Sequence, residues 1–134
     1  MKGRVDHIGV VVADLAGTRN FLEEVLGMEL TVVRSFPASQ VTTAFLGYGA
    51  ETLVELIELG NADIRSRRLG DAQARVEHIA IEVDDVLGAR DELRARGVVM
   101  QSEMPSVNGP TRSFFTRPET SQGIAFQFLD RRAE

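Results

Sequence analysis

The sequence contains no cysteine and no tryptophan, and it has one tyrosine, four prolines and two histidines in 134 residues. Without cysteine, disulfide bridges and thiolate metal sites are excluded. Acidic side chains outnumber basic ones, 20 to 15, and the resulting net charge of −5 argues against nucleic acid as the main partner, because phosphate neutralisation needs clustered Lys and Arg. With aromatics at 6%, a base-stacking platform is not expected either. No apolar run approaches the roughly 18 residues that would span a bilayer, so no membrane association is expected. Residues Met1-Lys2-Gly3-Arg4-Val5 lead directly into a strand pattern rather than a signal peptide. A cytoplasmic location is the expectation, with a small molecule as partner.

What is present is a repeat. Val5-Asp6-His7-Ile8-Gly9-Val10-Val11-Val12 recurs as Val76-Glu77-His78-Ile79-Ala80-Ile81-Glu82-Val83, and both histidines fall at the same position of it. With the offset held at 71, residues 5–26 and 76–97 share eight identities. About one or two would be expected at ordinary residue frequencies. Packing alone gives no reason for both histidines to sit at the repeat-equivalent position, which points to a shared site.

The pattern along the chain is βαβββ, twice. Residues 5–12 are apolar and β-branched, a strand signal, and Asp14 is positioned as the N-cap of a helix that Gly27 closes. Residues 29–34, 41–46 and 52–59 read as strands separated by turn residues. The second half gives a strand at 76–83, a helix at 85–96 closed by Gly97, and strands at 98–103, 112–116 and 123–129. Residues 106–110 read as a flexible loop. The expected fold class is α+β, one domain over 1–134, with module 1 at about 4–60, a connector at about 61–74 and module 2 at about 75–131. The two modules are expected to pair into a curved, mostly antiparallel sheet with a concave ligand cleft.

An offset of 72 aligns Val54-Glu55-Leu56-Ile57-Glu58 with Phe126-Gln127-Phe128-Leu129-Asp130, making Glu55 and Gln127 equivalent. Each is a polar residue within an apolar strand segment, where it needs a partner. Two imidazoles, a carboxylate and an amide oxygen from His7, His78, Glu55 and Gln127 form a credible set for one divalent ion: Zn, Ni, Co, Mn or Fe. Glu58 is the rival to Glu55. A regular strand would turn it to the opposite face.

These residues resemble the vicinal oxygen chelate superfamily, the glyoxalase, bleomycin resistance and dioxygenase proteins. Val5-Asp6-His7-Ile8-Gly9, Val54-Glu55-Leu56-Ile57, Val76-Glu77-His78-Ile79-Ala80 and Arg112-Ser113-Phe114-Phe115-Thr116-Arg117-Pro118 are similar to its methylmalonyl-CoA epimerase branch. Ala44-Phe45-Leu46-Gly47-Tyr48-Gly49-Ala50-Glu51-Thr52 is similar to bacterial glyoxalase I. The resemblance implies one metal held by His7, Glu55, His78 and Gln127, although its branches commonly have glutamate where this chain has Gln127. Aligned without gaps, the glyoxalase-like stretch would favour Glu58 as the ligand, so both glutamates remain candidates. It also implies a homodimer as the common assembly.

The implied function is a metal-dependent isomerase or epimerase that abstracts a proton beside a carbonyl and is methylmalonyl-CoA epimerase-like. One alternative is a glyoxalase I-like lactoylglutathione lyase; another is a non-catalytic small-ligand binding protein of the same fold. Glu55 is the candidate base, since the neutral amide of Gln127 cannot accept a proton. Arg112, Thr43 and Ser113 are the candidate substrate-binding residues, for an acyl-CoA or another carboxylate or carbonyl compound. Arg112 is suited to bind a carboxylate bidentately.

Overall fold

The structure, a computed structural model, describes residues 1–132. In chain order it contains β1 (Gly3–Val12), α1 (Leu15–Glu24), β2 (Glu29–Phe36), β3 (Val41–Gly47), β4 (Leu53–Leu59), α2 (Ala62–Arg68), β5 (Ala74–Val83), α3 (Val86–Ala95), β6 (Ser106–Asn108), β7 (Thr111–Phe115) and β8 (Ala125–Arg131). This is the expected α+β class with two βαβββ modules. No helix among the described residues is long and apolar enough to cross a membrane. The chain divides into two compact units, His7–Glu77 and Met1–Asp6 with the chain from His78 onward.

In the unit His7–Glu77, β2 pairs antiparallel with β3, β3 antiparallel with β4, and β4 parallel with β1. Alternation along the strands gives the array two different faces. Val12, Ala44, Leu46 and Leu56 are buried on one face and pack with Leu15 and Leu22 of α1. Removing the side chains of Val12, Leu46 and Leu56 from water contributes about 1.5–3 kcal/mol each. The start of α1 is fixed twice: Asp14 Oδ1 accepts the Gly17 N–H at 3.0 Å, and Glu58 Oε2 accepts the Leu15 N–H at 2.9 Å. The other face carries His7 and Gly9, Glu55 and Ile57, and Phe45 and Thr43. At its end, Val11, Ile57 and Leu59 pack with Leu69 and Ile64. Ile64 lies in α2, which occupies the stretch expected to be a connector. Asn61 caps it by accepting the Asp63 and Ile64 N–H groups, and its one turn of apolar spacing was too short to register as a helical period.

In the other unit, β5 pairs parallel with β8, β8 antiparallel with β7, and β7 antiparallel with β6. Val83, Val86, Ala89, Met100, Phe114 and Phe128 form the core between α3 and one face of these strands. Asp85 Oδ1 caps α3 at Leu87, and Asp130 Oδ2 accepts the Val86 N–H at 2.8 Å. Gly97, with φ of +91°, then reverses the chain, and Val98 N–H bonds back to Leu93 O. The expected strand at 98–103 is not one: Met100 alone bridges to Thr116. Pro105, which has no N–H to donate, follows the bend at 101–104. The second strand of this module is instead β6, within the stretch expected to be a flexible loop. Gly109, with φ of +61°, supplies the left-handed step of the two-residue turn joining β6 to β7.

Candidate active site

The two units build the same small constellation, each on the strand face that does not meet its long helix. In the first, Glu55 stands opposite Gly9 on β1 and opposite Phe45 on β3. His7 precedes Gly9 by two residues and so shares that face. Its ring is buried, and it meets the Phe45 ring edge-on, with centroids 5.2 Å apart and planes at 84°. His7 Nε2 lies 3.4 Å from Glu55 Oε1, and both side chains are largely shielded from water. Gly9, between them in the register, has no side chain to fill the space.

In the second unit, Gln127 stands opposite Ala80 on β5 and opposite Phe115 on β7. His78 precedes Ala80 by two residues. Its ring is buried and meets Phe115 edge-on at 5.3 Å and 82°. Glu55 and Gln127 therefore occupy equivalent register positions, each opposite a residue with little or no side chain and beside an aromatic ring that braces the histidine. Imidazole beside a carboxylate in the first unit, and imidazole beside an amide in the second, are donor types that suit a borderline divalent metal of the zinc, nickel, cobalt, manganese or iron(II) group.

Thr43 and Ser113 are buried on these same faces, two residues from Phe45 and Phe115 along β3 and β7. Thr43 Oγ1 has no hydrogen-bond partner. Arg34 on β2 stands opposite Thr43, and its guanidinium carbon lies 5.8 Å from the centroid of the Phe45 ring.

Two expected residues point elsewhere. Glu58 follows Glu55 by three positions, faces α1 and caps it, so alternation separates the two glutamates. Arg112 pairs in register with Asp130 on the face that packs against α3. Its Nε donates to Asp130 Oδ1 at 3.0 Å and its Nη2 to Asp130 Oδ2 at 2.5 Å. The guanidinium fork expected to bind a substrate anion is thus engaged by a buried carboxylate of the chain itself. The hydrogen bond to Asp130 raises the Arg112 pKa above its ordinary value. For Asp130, burial pushes the carboxyl up, but the Arg112 and Val86 hydrogen bonds and the nearby positive charges outweigh it and hold the group below its ordinary value.

The bracing phenylalanines and Arg34 were missed from the sequence. A third offset, 70, could have found the rings: it places Thr43-Ala44-Phe45 against Ser113-Phe114-Phe115. Arg34 has no counterpart to reveal it.

Comparison with known proteins identifies the family. Residues 6–115 match the family described as the Glyoxalase/Bleomycin resistance protein/Dioxygenase superfamily. A lactoylglutathione lyase of Neisseria meningitidis is 33% identical over 132 residues, covering 97% of this chain and 92% of that protein. A lactoylglutathione lyase of Escherichia coli O157:H7 is 35% identical over 109 residues, covering 81% of this chain and 78% of its own. Among solved structures, a Streptomyces coelicolor methylmalonyl-CoA epimerase in complex with 2-nitronate-propionyl-CoA aligns with a TM-score of 0.85 at 25% identity, covering 97% of this chain and 98% of that one. These relatives and neighbours are enzymes, a lyase and an epimerase. The chain belongs to the Glyoxalase/Bleomycin resistance protein/Dioxygenase superfamily.

Proposed function

We propose that the protein is a metal-dependent enzyme that moves a proton between neighbouring carbons of an oxygenated carbonyl compound, in the manner of a lactoylglutathione lyase. His7, Glu55, His78 and Gln127 are its metal ligands and Glu55 is its base. Among the described residues, His7, Glu55 and His78 each offer a ligand atom, and Gln127 is included because it repeats the register position of Glu55. When bound, the metal supplies positive charge to the substrate oxygens as the proton leaves, lowering the barrier to its removal.

The observation that carries the choice of reaction is the inequality of the two register-equivalent positions. The one opposite Gly9 holds a carboxylate, and the one opposite Ala80 holds an amide. Glu55 can take a proton from the carbon bearing hydroxyl and sulfur in a hemithioacetal and return it to the adjacent former carbonyl carbon on the same side, while the hydroxyl proton passes to the former carbonyl oxygen. The product is a 2-hydroxy thioester, and one base suffices. Inversion at a single carbon usually uses a proton donor on each side, and Gln127 cannot be the second.

The likeness to methylmalonyl-CoA epimerase structures favours a second reading, in which the same base exchanges the proton of a 2-carboxyacyl thioester. Assay of metal-loaded protein in deuterated water separates the two. Methylglyoxal with glutathione is expected to be consumed, whereas methylmalonyl-CoA is expected to exchange its C–H slowly without racemising. Racemisation of methylmalonyl-CoA with no turnover of the hemithioacetal would reverse the choice, and silence with both substrates would leave a binding protein.

A further inference from the structure

We propose that Arg34 and Thr43 form a subsite for an anionic oxygen group of the substrate, either a carboxylate or a phosphate ester. The inference builds on the functional reading above by naming the part of the substrate that lies away from the reacting carbons.

Thr43 is buried, with 5% of its surface exposed, and its hydroxyl has no partner. An enclosed hydroxyl left unpaired is a standing cost that a bound oxygen acceptor would remove. Directly across the β2–β3 pair stands Arg34, and directly opposed residues of an antiparallel pair hold their Cβ atoms roughly 4.5–5.5 Å apart. Arg34 is exposed, and among the described residues no carboxylate pairs with it. Its guanidinium carbon, 5.8 Å from the Phe45 ring centroid, is placed for cation–π contact. That ring also braces His7, which adjoins Glu55.

Along one strand face the order is therefore base, aromatic ring with buried hydroxyl beside it, then cation at the open edge. A substrate reacting at Glu55 and extending over Phe45 would bring its tail to Arg34, and an acceptor oxygen passing Thr43 would complete that hydroxyl. A planar guanidinium fork selects carboxylate and phosphate oxygens. Arg112 is instead engaged by Asp130, on the opposite face of its own strands.

Calorimetric titration of zinc-loaded protein with S-hexylglutathione and with coenzyme A tests the subsite without turnover. The parent is expected to bind one of them. Arg34→Gln should weaken that binding by about tenfold or more and remove most of its dependence on ionic strength. Thr43→Val, which keeps the side-chain shape, should weaken it by roughly three- to tenfold without changing the salt dependence. Loss of binding by the diethyl ester of S-hexylglutathione assigns a carboxylate, and loss of binding by pantetheine, which lacks the phosphates of coenzyme A, assigns a phosphate. Failure of the parent to bind either probe, or Arg34→Gln binding as tightly as the parent, overturns the subsite. Tight, Arg34-dependent binding with no turnover of either substrate would sink the proton-transfer reading and leave the subsite standing.

Discussion

The carboxylate of Glu58 accepts the backbone N–H of Leu15 at 2.9 Å, and so holds β4 to the first residue of α1. The repeat-related Asp130 does the same for Val86 in the other unit, at 2.8 Å. Each module thus ends in a strand carrying two polar positions with opposite duties. Glu55 or Gln127 lies on the histidine face, and Glu58 or Asp130 anchors the helix on the other.

Glu58→Ala is expected to lower stability by about 1 kcal/mol, through loss of an acceptor and a negative charge at a helix N-terminus. Metal content should be unchanged. Glu55→Ala should do the reverse and lose metal, with little effect on the urea midpoint when parent and variant are compared metal-free. Metal analysis beside denaturation curves checks both, and loss of metal from Glu58→Ala would return that glutamate to the ligand set.

Asp130→Asn is expected to cost about 2 kcal/mol at neutral pH, because hydrogen bonds to a charged group are replaced by weaker ones. The native carboxyl is held below its ordinary value, so its contribution is complete above the unfolded-state pKa near ~3.9 and is lost as pH falls through the lower native value. Urea unfolding followed from pH 6 to pH 2 should show the parent and variant converging at the acid end. A gap that stays constant with pH would show that the Asp130 charge is not what stabilises this strand-to-helix link.

Much of this architecture is legible in the sequence, because a one-residue slip in a strand would exchange its two faces. His7 with His78, and Glu55 with Gln127, could be matched from two offsets because the repeat preserves which side chains share a face. Helix α2 and strand β6 were not legible. The first has a single turn of apolar spacing, and the second is three exposed residues whose pairing is set by the Gly109-Pro110 turn. The pairing of Arg112 with Asp130 was not legible for a different reason: the two are 18 positions apart and meet only through strand register. Arg34 likewise gains meaning only from standing opposite Thr43.

His7→Ala and His78→Ala should each purify with far less than stoichiometric metal when chelators are avoided, while the parent is near stoichiometric. Each removes one of the two imidazoles, so neither loss should be made good by the other unit. Phe115→Leu is a finer test, since it keeps an apolar side chain while removing the ring that braces His78. It should weaken metal affinity by about tenfold, the lower end of what displaced supporting groups cost a ligand. Full metal retention in both histidine variants would leave the shared-ion reading without support.

Gln127→Glu places a second carboxylate at the register position that mirrors Glu55. An amide oxygen and a carboxylate oxygen can both ligate, so the variant should keep its metal. It makes the site one unit more negative, which weakens the pull on the substrate oxygens, yet it also supplies a second group able to hold a proton. If Glu55 alone serves the parent, the variant should turn over the hemithioacetal more slowly and should gain racemisation of methylmalonyl-CoA, with affinity for S-hexylglutathione altered less than turnover. Glu55→Gln in the parent should reduce turnover by about 10²- to 10⁴-fold while its amide oxygen still ligates. In the double variant Glu55→Gln with Gln127→Glu, the base is moved to the other unit's register position. Recovery of activity there would show that the two positions are chemically interchangeable.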